Sequence, residues 1–195
     1  LLINSVLKNK NNRKENYKPE HVCPVWMGYL LASPIRELFQ NPHTILKPYI
    51  REGMKALDIG SAMGFFTIPM AKMVGATGKE VCADLQQKML GVLEKKSRKA
   101  GLSERMELRL CSPGSLNISN IKEELDFELA FAVLHEVPDV SILFKEVYQA
   151  LKKNGIMLIA EPKGHVNDEH FLATINTAKR VDLFYLACLR LLKVW

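Results

Sequence analysis

Apolar residues in this chain follow two alternating rhythms. Short dense apolar runs, over residues 54–59, 80–83, 106–110, 127–134 and 156–160, read as strands, and the first is apolar enough to be buried on both faces. Between them lie stretches with helical residues or helical spacing. Residues 65–74 run to Gly75, and residues 86–100 carry Met89, Leu93 and Ala100 on one side before Gly101. Past Pro138 and Asp139, the residues Val140, Leu143, Phe144, Val147, Ala150 and Leu151 recur at helical spacing, with a basic stop at Lys152-Lys153-Asn154-Gly155. A last helix spans 167–179, and residues 117–124 form a short helix or loop. Strands alternating with helices in this way predict an α/β fold, a mostly parallel sheet with helices on both faces.

The ends of the chain break the pattern. KNKNNRKENYK, over 8–18, is polar, Asn-rich and aperiodic, which predicts a mobile tail over 1–18. Residues 19–49 change character. His21, Cys23, Trp26, Met27 and Tyr29 crowd ahead of Ser33-Pro34, an N-cap with a first-turn proline, and Glu37 follows near the helix start. That helix runs to about Gln40. Asn41-Pro42 breaks it, and a second short helix leads through Leu46 to Pro48. The block reads either as a helical cap packed on the sheet or as a lid over a ligand crevice, with Trp26 expected to border the pocket. Residues 50–195 form the sheet domain. Its end, RVDLFYLACLRLLKVW, has no turn signal and reads either as a tight hairpin or as one helix.

Composition narrows the function classes. A chain of 195 residues suits one domain with a real core. The net charge of +6 is uneven: residues 1–20 hold five basic side chains against two acidic ones. The remaining +3 on the body is no argument for a nucleic-acid partner, and a basic tail reads first as solvated. No apolar run approaches the ~18 residues of a membrane span. The opening Leu1–Leu7 is too short for a signal peptide and has no basic residue ahead of it. Cys23, Cys82, Cys111 and Cys188 have no C-x-x-C spacing, so reduced thiols in a cytoplasm are expected, without a disulfide or zinc site. His21 and Cys23 alone do not make a metal site. Oligomeric state is not legible in the sequence.

The chemistry gathers in ALDIGSAMGFFTIPMAKMVGATGKEVCADL, over 56–85: strand, glycine turn, helix, second strand, then Asp84 at that strand's end. Small residues at Gly60, Ser61, Ala62 and Gly64 let a ligand approach main-chain N–H groups. In a doubly wound sheet, ligands bind outside the carboxyl ends of the strands, so the turn and Asp84 share one crevice. A dinucleotide fingerprint, G-x-G-x-x-G, would fall on Gly60, Ala62 and Phe65, and two of its three glycines are missing. The run Asp58-Ile-Gly60-Ser-Ala62-Met-Gly64 instead resembles the D-x-G-x-G-x-G motif of class I S-adenosylmethionine-dependent methyltransferases, with Ala62 for the central glycine. The segments REGMKALDIG, VCADLQQKML, FAVLHEVPD and LKKNGIMLIAEP extend the resemblance over 50–164. They are similar to the small-molecule branch that includes the ubiquinone and menaquinone biosynthesis enzymes. The resemblance implies a Rossmann-like fold that ends in an antiparallel sixth and seventh strand.

It also implies roles. Gly60 to Gly64, with Ser61 and Ala62, would lie against the methionine part of the cofactor, and Asp58 would reach its amino group through water. Asp84 would accept from both ribose hydroxyls, a task for an acceptor-only carboxylate. Leu85 would pack on the adenine, Ser112 would meet its amino group, and Ala132 would lie near the sulfonium. A sulfonium methyl is already activated, so the protein must align the acceptor and exclude water. A general base is needed only for an acceptor that loses a proton. His135, with an ordinary pKa of about 6.5, is the candidate, or else a histidine that caps a helix or lines the crevice. Glu136 and Glu161 sit at strand ends, where either orients a substrate or serves a helix end or the surface. The expected function is methyl transfer from S-adenosylmethionine to a small-molecule acceptor. The rivals are an S-adenosylmethionine-binding protein without transfer activity and a nicotinamide-dependent oxidoreductase.

Overall fold

Among the described residues, six strands form one open parallel sheet in the order β3-β2-β1-β4-β5-β6. The strands are β1 (Lys55–Ile59), β2 (Lys79–Asp84), β3 (Met106–Leu110), β4 (Leu125–Phe131), β5 (Leu151–Pro162) and β6 (Leu186–Leu191). The helices are α1 (Pro42–Leu46), α2 (Thr67–Met73), α3 (Gln87–Lys99), α4 (Val140–Ala150) and α5 (Asp168–Lys179). The fold is seen in a computed structural model that describes residues 40–164, 166–183 and 186–191, together with Pro24, Trp26, Gly28 and Arg36.

Strand alternation sorts the core into two layers. Leu57, Ile59, Val81, Ala83, Met157 and Ile159 face one side, where α4 and α5 bring Phe144, Val147, Phe171 and Ile175. Ala56, Phe127, Leu129, Leu158 and Ala160 face the other, against Leu46 of α1 and Met70 of α2. Cys82 lies under Leu90 and Leu93 of α3. Helices therefore cover both faces, as the apolar runs require.

Local rules set most boundaries. Asn41 does not merely break a helix: its side chain accepts from Thr44 N and caps α1. Asp139 and Asn167 cap α4 and α5 the same way. The loop reading of residues 117–124 holds.

Three expectations are corrected. The fourth strand stops at Phe131, not at residue 134, because Ala132 turns left-handed (φ +54°) and a 3₁₀ turn takes over at Leu134–Glu136. Lys152 to Gly155 is not the basic end and stop of the helix. α4 ends at Ala150 and β5 begins at once, with the four residues absorbed by a register shift against β4. The last described segment is neither a helix nor an antiparallel hairpin: β6 runs parallel to β5, from Met157↔Leu186 to Pro162↔Leu191. The tail over 1–18, the pair His21 and Cys23, and the cap at Ser33-Pro34 with Glu37 lie outside the described residues.

Candidate active site

The glycine turn hangs on the neighbouring strand. Gly60 N and Ser61 N both donate to Ala83 O, at 2.8 and 3.1 Å, which swings the chain across the carboxyl end of β2. Gly60 is left-handed at φ +75°, and a Cβ there would stand 2.7 Å from Val133 Cγ2, so the position has neither the backbone nor the room for a side chain. Ala62 is left-handed too (φ +44°), a conformation that costs an alanine about 1 kcal/mol. The glycine expected there by the motif is replaced, but its conformation is kept.

Asp84 supplies the restraint. Its Oδ2 accepts from Ala62 N at 2.8 Å and its Oδ1 from Gln86 N at 2.7 Å. Burial raises its pKa, and these two backbone donors oppose the rise. One carboxylate thus ties the turn to the end of β2. Cys111 N donates to Asp84 O at 2.8 Å, which brings the end of β3 alongside.

Asp58 lies beneath the turn, 3% exposed, and accepts from Thr67 Oγ1 at 2.6 Å. Burial pushes its pKa up to about 7; the Thr67 hydrogen bond opposes this and the charge of Asp84 adds to it. Glu80 is fully buried with both carboxyl oxygens unpartnered, and burial and the charge of Asp58 hold its pKa well above the ordinary range. Ser61 Oγ is buried with no hydrogen-bond partner. An orphaned hydroxyl inside a turn of small residues, next to a paired carboxylate, is the donor set that a cofactor's polar groups would complete. The residues present therefore fit S-adenosylmethionine.

On the far side of β1, the ends of β4 and β5 carry a second pair. Glu161, 2% exposed in its side chain, accepts from Leu134 N at 2.8 Å and His135 N at 3.3 Å, and its Oε2 lies 2.8 Å from His135 Nδ1. Burial lowers the His135 pKa, but the hydrogen bond and charge of Glu161 outweigh it and the net direction is up. The imidazole keeps 25% side-chain exposure.

The site residues expected from sequence thus fall along the carboxyl end of the sheet. Asp58, Gly60, Ser61, Ala62, Gly64 and Asp84 form one bonded cluster. Leu85 follows it half-buried, and Ser112 is exposed beside it, its backbone paired with Ser115. Ala132 and His135 stand at the end of β4. Trp26 is 66% exposed; among the described residues of that block, Gly28 lies where an added Cβ would meet Met89 Cε at 2.7 Å and Met63 Cε at 3.1 Å. Sequence reasoning missed Thr67. It also passed over Lys96, whose Nζ donates to Met63 O at 2.8 Å. A hydroxyl at the start of the helix after the turn was the available signal for Thr67. Nothing separated Lys96 from its basic neighbours.

Topology alone does not choose the ligand, because this strand order is also that of dinucleotide-binding sheets. Comparison with known proteins does. A family described as "Methyltransferase domain" matches residues 50–188. The chain is 31% identical over 118 residues to a demethylmenaquinone methyltransferase of Lactobacillus johnsonii, covering 60% of this chain and 48% of the relative. It is 27% identical over 135 residues to a ubiquinone/menaquinone biosynthesis C-methyltransferase of a Marinomonas species, covering 69% and 53%. The chain thus spans about half the length of these curated relatives. Among solved structures, a SAM-dependent methyltransferase from Aquifex aeolicus superposes with a TM-score of 0.66 at 25% identity, covering 71% of this chain and 72% of that one.

Proposed function

The chain belongs to the methyltransferase domain family, and from that premise we propose that it transfers a methyl group from S-adenosylmethionine to a quinol-type small molecule. The observation that carries the reading is the Asp84-tied glycine turn with an orphaned Ser61 hydroxyl inside it. The cofactor supplies an electrophilic methyl group on a sulfonium. Everything else falls to this chain. Asp84 accepts from the ribose hydroxyls. The turn and Asp58 receive the methionine end, where a buried carboxylate complements a cationic ligand. Leu85 covers the adenine, and Ser112 meets its amino group.

A quinol acceptor must lose a proton as its ring carbon is methylated, which calls for a base. His135 fills that role. Glu161 holds Nδ1, so the tautomer with its proton on Nδ1 leaves Nε2 to take the acceptor's proton. The seat of Gly28 against Met63 and Met89 supports residues 19–49 as a lid over the domain that starts at residue 50. No helix among the described residues is long and apolar enough to cross a membrane. Free thiols at Cys82, Cys111 and Cys188 support a reducing, cytoplasmic setting. The nicotinamide reading has no support from the family match.

The test is transfer of a labelled methyl group from S-adenosylmethionine to a reduced demethylnaphthoquinone. Label in the extracted quinone supports the reading. Binding of the cofactor without transfer to any quinol would replace it with a binding protein.

A further inference from the structure

One hydroxyl joins the carboxylate beneath the glycine turn to the turn itself. Thr67 is the first residue of α2 and is fully buried. Its Oγ1 lies 2.6 Å from Asp58 Oδ2 and 3.2 Å from Ser61 O, a carbonyl inside the turn. A hydroxyl carries one hydrogen, so it donates fully to only one of these acceptors at a time. An ionised carboxylate at the shorter distance takes it. Asp58 Oδ1 makes no hydrogen bond among the described residues.

The surroundings make that hydrogen bond decisive. On one flank of Asp58, β2 carries the titratable groups Glu80, Cys82 and Asp84. On the other flank, β4 places Leu129 opposite it, and α2 brings Thr67. None of these is a cation. Burial, helped by the charge of Asp84, pushes the Asp58 pKa up to about 7, and the Thr67 hydrogen bond is what opposes the rise. Asp58 is therefore poised to change charge near neutral pH. Once protonated, it can donate to Thr67 Oγ1, which turns the hydroxyl hydrogen toward Ser61 O. Both states satisfy the hydroxyl, and the turn carries the difference.

We propose that Thr67 is a positioning residue: it holds Asp58 as a carboxylate for the ammonium group of S-adenosylmethionine, and it hands its hydrogen bond to Ser61 O when Asp58 takes up a proton, so that cofactor affinity follows pH. The inference rests on the methyltransferase reading and adds a proton-sensitive contact to its cofactor site. A carboxylate facing an ammonium group is a charge-assisted pair; a neutral carboxyl in its place loses the charge. Affinity for the cofactor's amino-acid end should therefore rise with pH through about 7 and level off above it. Without the hydroxyl, burial and the charge of Asp84 go unopposed, and the same rise should come at higher pH.

The test uses the full chain and two calorimetric probes between about pH 5.5 and 8.5. S-adenosylhomocysteine has the amino group without a sulfonium beside it, so that group stays largely protonated over the range. Methylthioadenosine has the same adenosine thioether and no amino-acid end. Asp84 meets the ribose of both, so its titration drops out of their ratio. In the wild type, affinity for S-adenosylhomocysteine relative to methylthioadenosine should rise about tenfold with pH, with a midpoint near 7. Thr67→Val should move the midpoint to higher pH and weaken S-adenosylhomocysteine roughly threefold at pH 7, with methylthioadenosine unchanged. Thr67→Ser should keep the wild-type midpoint. A wild-type ratio independent of pH overturns the proposal without any variant. So does an unmoved midpoint in Thr67→Val, or an equal loss of both probes, which would make the hydroxyl a part of the fold alone. If Thr67→Val does not fold, as judged by near-ultraviolet circular dichroism, Thr67→Ala decides, and an unmoved midpoint there overturns the proposal. A wild type that binds neither probe at any pH overturns the methyltransferase reading, and the proposal with it.

Discussion

Glu161 Oε2 and His135 Nδ1 meet at 2.8 Å, joining the end of β5 to the turn after β4 across 26 residues of sequence. The carboxylate does two jobs. It satisfies two backbone N–H groups of the turn, and it orients the ring and raises its proton affinity. As a base, His135 must be neutral, so kcat should rise with pH through an inflection above the ordinary 6.5. In Glu161→Gln the charge is gone and burial is opposed only by the smaller effect of the Glu136 charge, so the inflection should move to lower pH while the affinity for S-adenosylmethionine stays the same. A pH–rate profile of both proteins checks this, and an unmoved inflection removes His135 from the reaction.

Asp84 carries a different load. On the proposed role, replacing it with Ala would remove two charge-assisted bonds to a ribose, each about 1.5–3 kcal/mol, so cofactor affinity should fall at least tenfold. It also releases Ala62 N, so the turn should loosen and Tm should drop. Asp84→Asn keeps one acceptor and should do less harm on both counts. Titration calorimetry and a melting curve read the two effects separately. Wild-type affinity in Asp84→Ala would disprove the ribose assignment.

Much of this was legible beforehand, for physical reasons. The strand–turn–helix–strand over residues 56–85 was readable because local signals agree there: a buried apolar run, small turn residues, a glycine stop at Gly75 and an acid at a strand end. Asp84 could be placed from spacing alone. Its grip on Ala62 could not, because that bond depends on how far the turn swings across β2. The pairing of Glu161 with His135 was out of reach for a similar reason. Each residue sits at a strand end, but only the β4–β5 register brings those ends together. The end of the sheet was misjudged because a lone parallel strand and half of a hairpin share the same apolar composition.

Ala62 and Gly60 make a contrasting pair. Both are left-handed, but only Ala62 bears the cost of a side chain there. Ala62→Gly should be neutral or stabilise by up to about 1 kcal/mol, the relief being partly offset by a more flexible unfolded chain. Gly60→Ala should destabilise by more than about 1 kcal/mol, since strain adds to the clash with Val133. Urea midpoints measure both, and a stabilising Gly60→Ala would contradict the turn geometry.

Glu128 predicts an unusual pH dependence. It is fully buried mid-strand in β4, both carboxyl oxygens lack partners, and burial raises its pKa well above 4.5. The folded protein therefore holds a proton that the unfolded chain has released. That contribution to stability is complete below the unfolded value and is lost as pH rises toward the folded one. Glu128→Leu should stabilise by about 1–3 kcal/mol, more at pH 8 than at pH 5. Melting curves across that range give the answer; an equal gain at both ends would mean the carboxyl does not titrate in the core.

The central claim is that the Asp84-tied turn is built for S-adenosylmethionine. Isothermal titration of the full chain with S-adenosylmethionine, and separately with NAD, tests it most directly. The account predicts saturable binding of S-adenosylmethionine at one site per chain and no heat of binding from NAD. Saturable NAD binding with no response to S-adenosylmethionine would contradict it.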